Sequence, residues 1–405
     1  MSFFLIGSDL HDILENFQKN KLKKANKSET YNPLISVIVP AHNEEKTLLR
    51  NIESVANNTY KNVELIIVND SSTDATKKIA LKFQRKYFGV KVLNVHVRGK
   101  AKALNKGLKH ANGSLIMCLD ADSALSPTAL ENVVREFRNK NLVALSANVK
   151  IFPGHGFLNI LQRIEYLLNY QMKKAEALAN IQYIIGGIGS VFRYKELKEV
   201  GFYDTDTITE DIDLSMKMIE FYGRNKRVGY SPAVVVYTEA VLSIRDLYKQ
   251  RSRWKYGRYQ SFLKRKKLFL STNHNILLSW IYLPYALYAE FSYLLEPVII
   301  VYVLYWIVNY GDFTMLINSL IVFITFSLIQ ILGASSGYSL KERIELLTLS
   351  LILVVPIYLV VYYEYLVTVI GILSLKKIIY ERKNGVVNCD WKPVDRAGDA
   401  IVNLG

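Results

Sequence analysis

The feature that most constrains the fold is an alternation. Short apolar runs at residues 35–39, 63–68, 90–95 and 114–119 are separated by helix-length segments near 45–57, 74–86 and 102–110. An unbroken apolar run of strand length suits a strand covered on both faces, and strand–helix–strand repetition predicts an α/β domain with a mostly parallel, doubly wound sheet. Such sheets collect ligands at the carboxyl ends of their strands. The turns there are polar: Pro40-Ala41-His42-Asn43-Glu44 after the first run and Asn69-Asp70-Ser71-Ser72-Thr73-Asp74 after the second. Both lead into helix starts, where free N–H groups can meet an anion or a nucleobase edge. Asp74 reads best as a plain N-cap. Asp70, at the strand end, comes too early to cap and faces the same mouth as Asp120.

The fourth run ends in Asp120-Ala121-Asp122. Two carboxylates one residue apart can share a divalent cation whose other ligands are phosphate oxygens, as Mg²⁺ and Mn²⁺ prefer; a solvated loop would look the same in isolation. Further on, Thr209-Glu210-Asp211 reads either as an ordinary capped, acidic helix start or as a carboxylate placed to remove a proton, with Asp213 in a supporting or structural role. Gly186, Gly187 and Gly189 permit close backbone approach to a ligand, and equally a structural bend. Gln250-Arg251-Ser252-Arg253-Trp254, taken alone, reads as a membrane-interface anchor.

In this order the motifs resemble the inverting glycosyltransferases of family 2. The resemblance implies a GT-A catalytic domain in which Asp70 reads the uracil of a UDP-sugar. It puts Asp120 near the donor sugar and ribose, and gives Asp122 the metal, Mg²⁺ or Mn²⁺, with the diphosphate. Lys100, in Gly99-Lys100-Ala101, places a cation near the nucleotide, which suits phosphate. Asp211, with Glu210 beside it, is the general base, and Gly187 and Gly189 border the acceptor. The pentapeptide Gln250-x-x-Arg253-Trp254 is similar to one in membrane polysaccharide synthases that make cellulose, chitin, hyaluronan or poly-N-acetylglucosamine. Gln250 and Arg253 then contact the donor diphosphate and Trp254 stacks on the acceptor sugar. Residues 208–214 and 248–254 look most similar to bacterial poly-N-acetylglucosamine synthases. One departure stands out: those relatives carry transmembrane helices before the catalytic domain, and none fits before Leu34.

Composition sets the rest. Lys and Arg number 51 against 36 acids, a net charge of +15, which favours anionic partners such as lipid head groups or nucleotide phosphates. No nucleic-acid module is present. Cys118 and Cys389 are too few and too far apart for a disulfide framework and fit a reducing, cytoplasmic setting. Residues 3–27 form an amphipathic stretch with a basic end, either interfacial or packed on the domain, and no signal peptide. Phe157–Leu178 has one apolar face and lies either along a membrane or against the domain.

Apolar residues crowd the last third, in segments 276–308, 313–332 and 346–375, each long enough to span about 30 Å of bilayer core. Lys264-Arg265-Lys266-Lys267 marks the cytoplasmic side, although Lys376, Lys377, Arg382 and Lys383 ask for the same side after three crossings. The first segment, with Pro284 and Pro297, is therefore read as partly interfacial or re-entrant. Glu290, Glu296 and Glu364 require protein partners or a wet path.

The chain thus divides into an N-terminal segment (1–33), a catalytic domain (34–240), interfacial helices (241–275), transmembrane helices (276–375) and a tail (376–405). The expectation is a multi-pass plasma-membrane enzyme, an inverting, processive β-glycosyltransferase with its catalytic domain in the cytoplasm. It transfers a sugar, N-acetylglucosamine by resemblance, from a UDP-sugar to a polysaccharide. Membrane lipids, and an accessory subunit or a second copy, are the further partners. The alternatives are single transfer to a lipid-linked acceptor and a non-catalytic scaffold or export subunit.

Overall fold

The computed structural model describes residues 31–87, 89–154, 156–292 and 296–311, with isolated positions from 313 to 380. The four expected strands form β1 (Ile35–Ala41), β2 (Val63–Asp70), β3 (Val90–Val95) and β4 (Leu115–Cys118). They lie side by side, all parallel, in the order β3-β2-β1-β4. The intervening helices are α1 (Leu48–Ala56), α2 (Thr76–Lys86) and α3 (Lys100–Leu108).

Strand geometry explains why the runs read as unbroken. Successive side chains point to opposite faces. Ile38, Ile66, Val68 and Ile116 therefore enter one core with Leu104 and Leu108 of α3. Val37, Val39, Leu65, Ile67 and Met117 enter the other, with residues of α1 and α2. Both faces of β1, β2 and β4 are covered, and the polar side chains within these runs pair with each other: the buried Ser36 hydroxyl donates to Glu64 at 2.6 Å.

The sheet is less parallel than expected. Beyond β4 it continues through β5 (Ser123–Leu125), β6 (Leu142–Ile151), β7 (Ser190–Arg193) and β8 (Arg227–Thr238), in the order β4-β7-β6-β8-β5. Here β7 is antiparallel to β4 and β6, and β5 is antiparallel to β8. The short strands β5 and β7 carry too few residues for a periodic signal. The fold is a mixed, Rossmann-like sheet of GT-A type.

Phe157–Leu178, here α5 after the short α4 (Ala129–Glu136), packs against β6 and β8. Leu161, Ile164 and Leu167 are buried beneath it. Next come α6 (Tyr194–Glu199), α7 (Glu210–Tyr222) and α8 (Ile244–Lys264), the last carrying the Gln250 to Trp254 pentapeptide.

Two residues of the basic run ending α8 are paired within the domain. Lys264 and Arg265 are spent on Asp204, Asp213 and Glu220, with Lys264 also on Asp206. Asp204, Asp206 and Asp213 gather carboxylate oxygens at metal-ligand spacing, but these cations already neutralise the group.

Among the described residues no helix is long and apolar enough to cross a membrane. The described part of segment 276–308 is a π-helical turn (Leu277–Tyr282), α9 (Leu283–Ser292) and α10 (Glu296–Tyr310). Pro284, lacking an N–H and clashing with the preceding turn, accounts for the wider π-turn before it. Glu290 has the protein partner its burial requires, bonding to Lys255, Arg258 and Tyr259 of α8. The segment expected at 1–27, most of the spans at 313–332 and 346–375, and nearly all of the tail lie outside the described residues.

Candidate active site

A cavity of about 910 Å³ opens at the carboxyl ends of β1 and β4 and runs beneath α7, α8 and α9. It is lined by Lys100, Asp120, Asp122, Glu210, Asp211, Gln250, Arg253 and Trp254. Sequence segments spread over 150 residues thus meet in one space.

Its donor-side floor is held by β2. Asp70 is 3% exposed and does not line the cavity. Its carboxylate accepts from the backbone N–H groups of Val97 (3.0 Å), Arg98 (3.2 Å) and Gly99 (3.1 Å). Asp70 thus shapes the loop that delivers Lys100.

The turns after β1 and β2 are also committed. Asn43, Glu44 and Glu45 N–H groups donate to Ser72, Thr76 and Asp74 side chains, and Thr73 and Ala75 N–H groups to Asn43 and Glu45. The helix-start amides expected to be free are consumed in zipping the turns together. Asp74 also accepts from Thr76 N–H at 3.0 Å, from one position before Ala75, which takes the N-cap place expected of Asp74.

Lys100 is the electrostatic centre. Its Nζ lies 2.6 Å from Asp120 Oδ1 and 3.6 Å from Glu210 Oε1. Burial works against its charge, but Asp120, Glu210 and Asp211 outweigh burial and hold it protonated well above the usual lysine range. Burial pushes the Glu210 carboxyl up, Lys100 opposes, and Asp211 adds to the rise.

Asp122 is 8% exposed, and its Oδ1 takes the Ser123 hydroxyl at 3.0 Å and Thr238 at 3.4 Å. Asp120 and Asp122 offer only carboxylate oxygens, a hard donor set that fits Mg²⁺ or Mn²⁺. Both carboxylates line the cavity and both are engaged, Asp120 by Lys100 and Asp122 by Ser123 and Thr238.

On the opposite wall, Asp211 Oδ2 accepts the Gly187 N–H at 2.6 Å. A Cβ on Gly187 would stand 3.1 Å from that oxygen and 3.2 Å from Lys100 Nζ. Gly189 has φ +68°, and a Cβ there would meet Val236 at 2.6 Å. Gly187 therefore lies against Asp211 and Lys100, while Gly189 adopts a left-handed backbone turn packed on Val236. Thr209 precedes α7 but makes no side-chain cap bond. Its hydroxyl, buried without a hydrogen-bond partner among the described residues, is pressed against Gly257 of α8, where a Cβ would come within 2.2 Å of Thr209 Oγ1. Gly257 is what lets α8 lie on the Thr209-Glu210-Asp211 corner.

On α8, Gln250 is 6% exposed and its amide oxygen has no partner among the described residues. Arg251, which carried no expected role, lies 4.3 Å above the Trp254 ring and bonds Glu165 at 2.5 Å. It backs one face of the indole and fixes its plane. Lys173 and Glu176 of α5, with Tyr282, extend the lining beyond Asp211; no local motif marks them.

A mixed GT-A sheet with an acid pair at its mouth and a carboxylate facing it defines a nucleotide-sugar transferase. Residues 36–201 match the Glycosyl transferase family 2 domain. The chain is 28% identical over 403 residues to a poly-beta-1,6-N-acetyl-D-glucosamine synthase of Staphylococcus epidermidis, covering 97% of this chain and 95% of that one. A protein of the same description from Staphylococcus aureus strain COL is 32% identical over 232 residues, 57% of this chain and 56% of its own. In fold the chain is similar to a mannosyltransferase, PcManGT of Pyrobaculum calidifontis, solved with GDP-Man and Mn²⁺. The TM-score is 0.59 at 20% identity, over 91% of this chain and 95% of that one. The chain is a glycosyltransferase carrying a family 2 catalytic domain.

Proposed function

We infer that this enzyme is an inverting, processive β-glycosyltransferase that extends a polysaccharide with N-acetylglucosamine from UDP-N-acetylglucosamine. The observation that carries the reading is the continuity of the cavity. One space joins the acid pair Asp120 and Asp122 to Asp211 and then to Trp254. The similarity to poly-N-acetylglucosamine synthases over 97% of the chain supports the choice of sugar and of polymer.

Asp122, with Asp120 beside it, would hold Mg²⁺ or Mn²⁺, and the cation supplies positive charge to the departing diphosphate. Lys100 and Arg253 add charge on the donor side. Asp211, oriented by the Gly187 N–H, takes the proton of the acceptor hydroxyl as that oxygen attacks the anomeric carbon. The bond to the diphosphate breaks on the opposite side, which inverts configuration. Trp254, held flat by Arg251, offers a ring face to the acceptor sugar.

The reading places the enzyme in the plasma membrane. The apolar segments after residue 275 provide the spans, lipids surround them, and the catalytic domain lies on the cytoplasmic face. The exposed apolar side chains Ile276, Trp280, Ile281 and Tyr288 support a lipid-facing start to that region. An accessory membrane subunit or a second copy is the remaining partner in this reading.

Membranes containing the full chain, given labelled UDP-N-acetylglucosamine and Mg²⁺, should yield a polymer. A product limited to a monosaccharyl lipid would replace processive synthesis with single transfer. Absence of any UDP release, with nucleotide binding intact, would favour a scaffold role.

A further inference from the structure

Beyond Asp211 the cavity ends among groups that the donor chemistry leaves unused. Lys173 and Glu176 sit one helical turn apart on α5 and face it, with Tyr183, Arg258 and Tyr282 opposite. The Tyr282 hydroxyl donates a hydrogen bond to Glu176 Oε1. Lys173 reaches toward the glycine segment, where a Cβ on Gly186 would lie 4.0 Å from its Nζ. Its charge is felt by both Glu176 and Asp211, and it makes no ion pair or hydrogen bond among the described residues. Burial, opposed by those two carboxylates, holds its ammonium below the usual lysine range.

This end of the cavity combines aromatic faces with hydrogen-bonding groups of both senses. A pyranose has the complementary form, with C–H faces that lie on a ring and a rim of hydroxyls that donate and accept. A hydrocarbon chain here would leave an amine and a carboxyl desolvated without compensation.

We propose that Lys173 and Glu176, with Tyr282 behind Glu176, form a subsite for the terminal sugar of a saccharide acceptor, across Asp211 from Lys100. Lys173 donates to one sugar oxygen and Glu176 bonds a neighbouring hydroxyl, which turns the attacking hydroxyl toward Asp211. Both are positioning residues. The subsite rests on the reading of Asp211 as the base, and its ligand is a saccharide rather than a lipid.

The test uses the full chain in membranes, UDP-N-acetylglucosamine as donor and a β-linked N-acetylglucosamine tetrasaccharide as soluble acceptor. K173M and E176Q should raise the KM for the tetrasaccharide at least tenfold while the KM for the donor stays within twofold, and K173R should recover most of the loss. Retained UDP binding identifies folded variants. An unchanged tetrasaccharide KM, or a donor KM rising in step with it, overturns the subsite. The unmodified protein supplies a second arm: transfer to a polyprenyl phosphate but not to the tetrasaccharide also overturns it. If the unmodified protein releases no UDP from this donor, the donor assignment fails. The subsite is then read by equilibrium binding of the tetrasaccharide, where equal affinity for the unmodified protein and K173M overturns it.

Discussion

The Gly187 N–H donates a 2.6 Å hydrogen bond to Asp211 Oδ2. It fixes one oxygen of a carboxylate whose other neighbours are the buried Glu210 and Lys100. Asp211→Asn should therefore lower turnover by about 10²- to 10⁴-fold, the usual worth of a positioned general base, with UDP affinity kept. Turnover of membranes carrying the variant, beside UDP titration, checks this. Gly187→Ala should lower kcat as well, because its Cβ would crowd both Asp211 and Lys100.

Lys100→Met leaves Asp120, Glu210 and Asp211 facing one another without their cation. Lys100 is what opposes burial at Glu210, so its loss lets the Glu210 carboxyl rise further. The acid limb of the kcat/KM profile should move to higher pH, with a weaker donor KM. A limb that stays in place would separate Lys100 from Glu210.

Gly257→Ala forces a methyl group into Thr209, whose β-branched side chain has little room to turn. Overpacking of this kind costs about 1–3 kcal/mol. The variant should melt earlier and lose kcat, because α8 and the start of α7 are pushed apart. Thr209→Ser in the same chain should recover part of both.

Asp213 is 1% exposed and bonds Lys264 and Arg265. Asp213→Ala removes the buried partner shared by Lys264 and Arg265, which keep Asp204, Asp206 and Glu220, so the cost stays below the about 3–5 kcal/mol of breaking one side of an isolated buried pair. Thermal melting should fall while donor KM in the surviving folded fraction holds. A selective rise in donor KM would make Asp213 part of the site instead.

Glu176 gives a pH signature. Burial pushes its carboxyl up to about 7, against the opposing Tyr282 hydroxyl, Lys173 and Arg258. An acid raised above its unfolded value favours folding while both states are protonated, and that advantage is lost as pH rises from about 4.5 to about 7. Glu176→Gln removes the loss. The variant should gain melting temperature relative to the unmodified protein between pH 5 and pH 8, and a constant difference would refute the assignment.

What the sequence determined by itself was local. Predominantly apolar runs of strand length named the four parallel strands, because a strand covered on both faces keeps few polar positions. The resemblance carried by the motifs, rather than periodicity, joined Asp120, Asp122, Asp211 and the Gln250 to Trp254 segment as stations of one site. Tertiary structure decided how those stations are wired. Asp70 and the turn amides look available in sequence, yet they are consumed by neighbours brought in from adjacent strands. Lys264 and Arg265 look like a membrane flank and also neutralise buried acids. Gly257, Arg251, Lys173 and Glu176 acquire meaning only from contacts with Thr209, Trp254, Gly186 and Tyr282. Periodicity reports which face of an element is buried. Which charge meets which, and where a missing Cβ makes room, depends on segments far apart in the chain, and only packing brings them together.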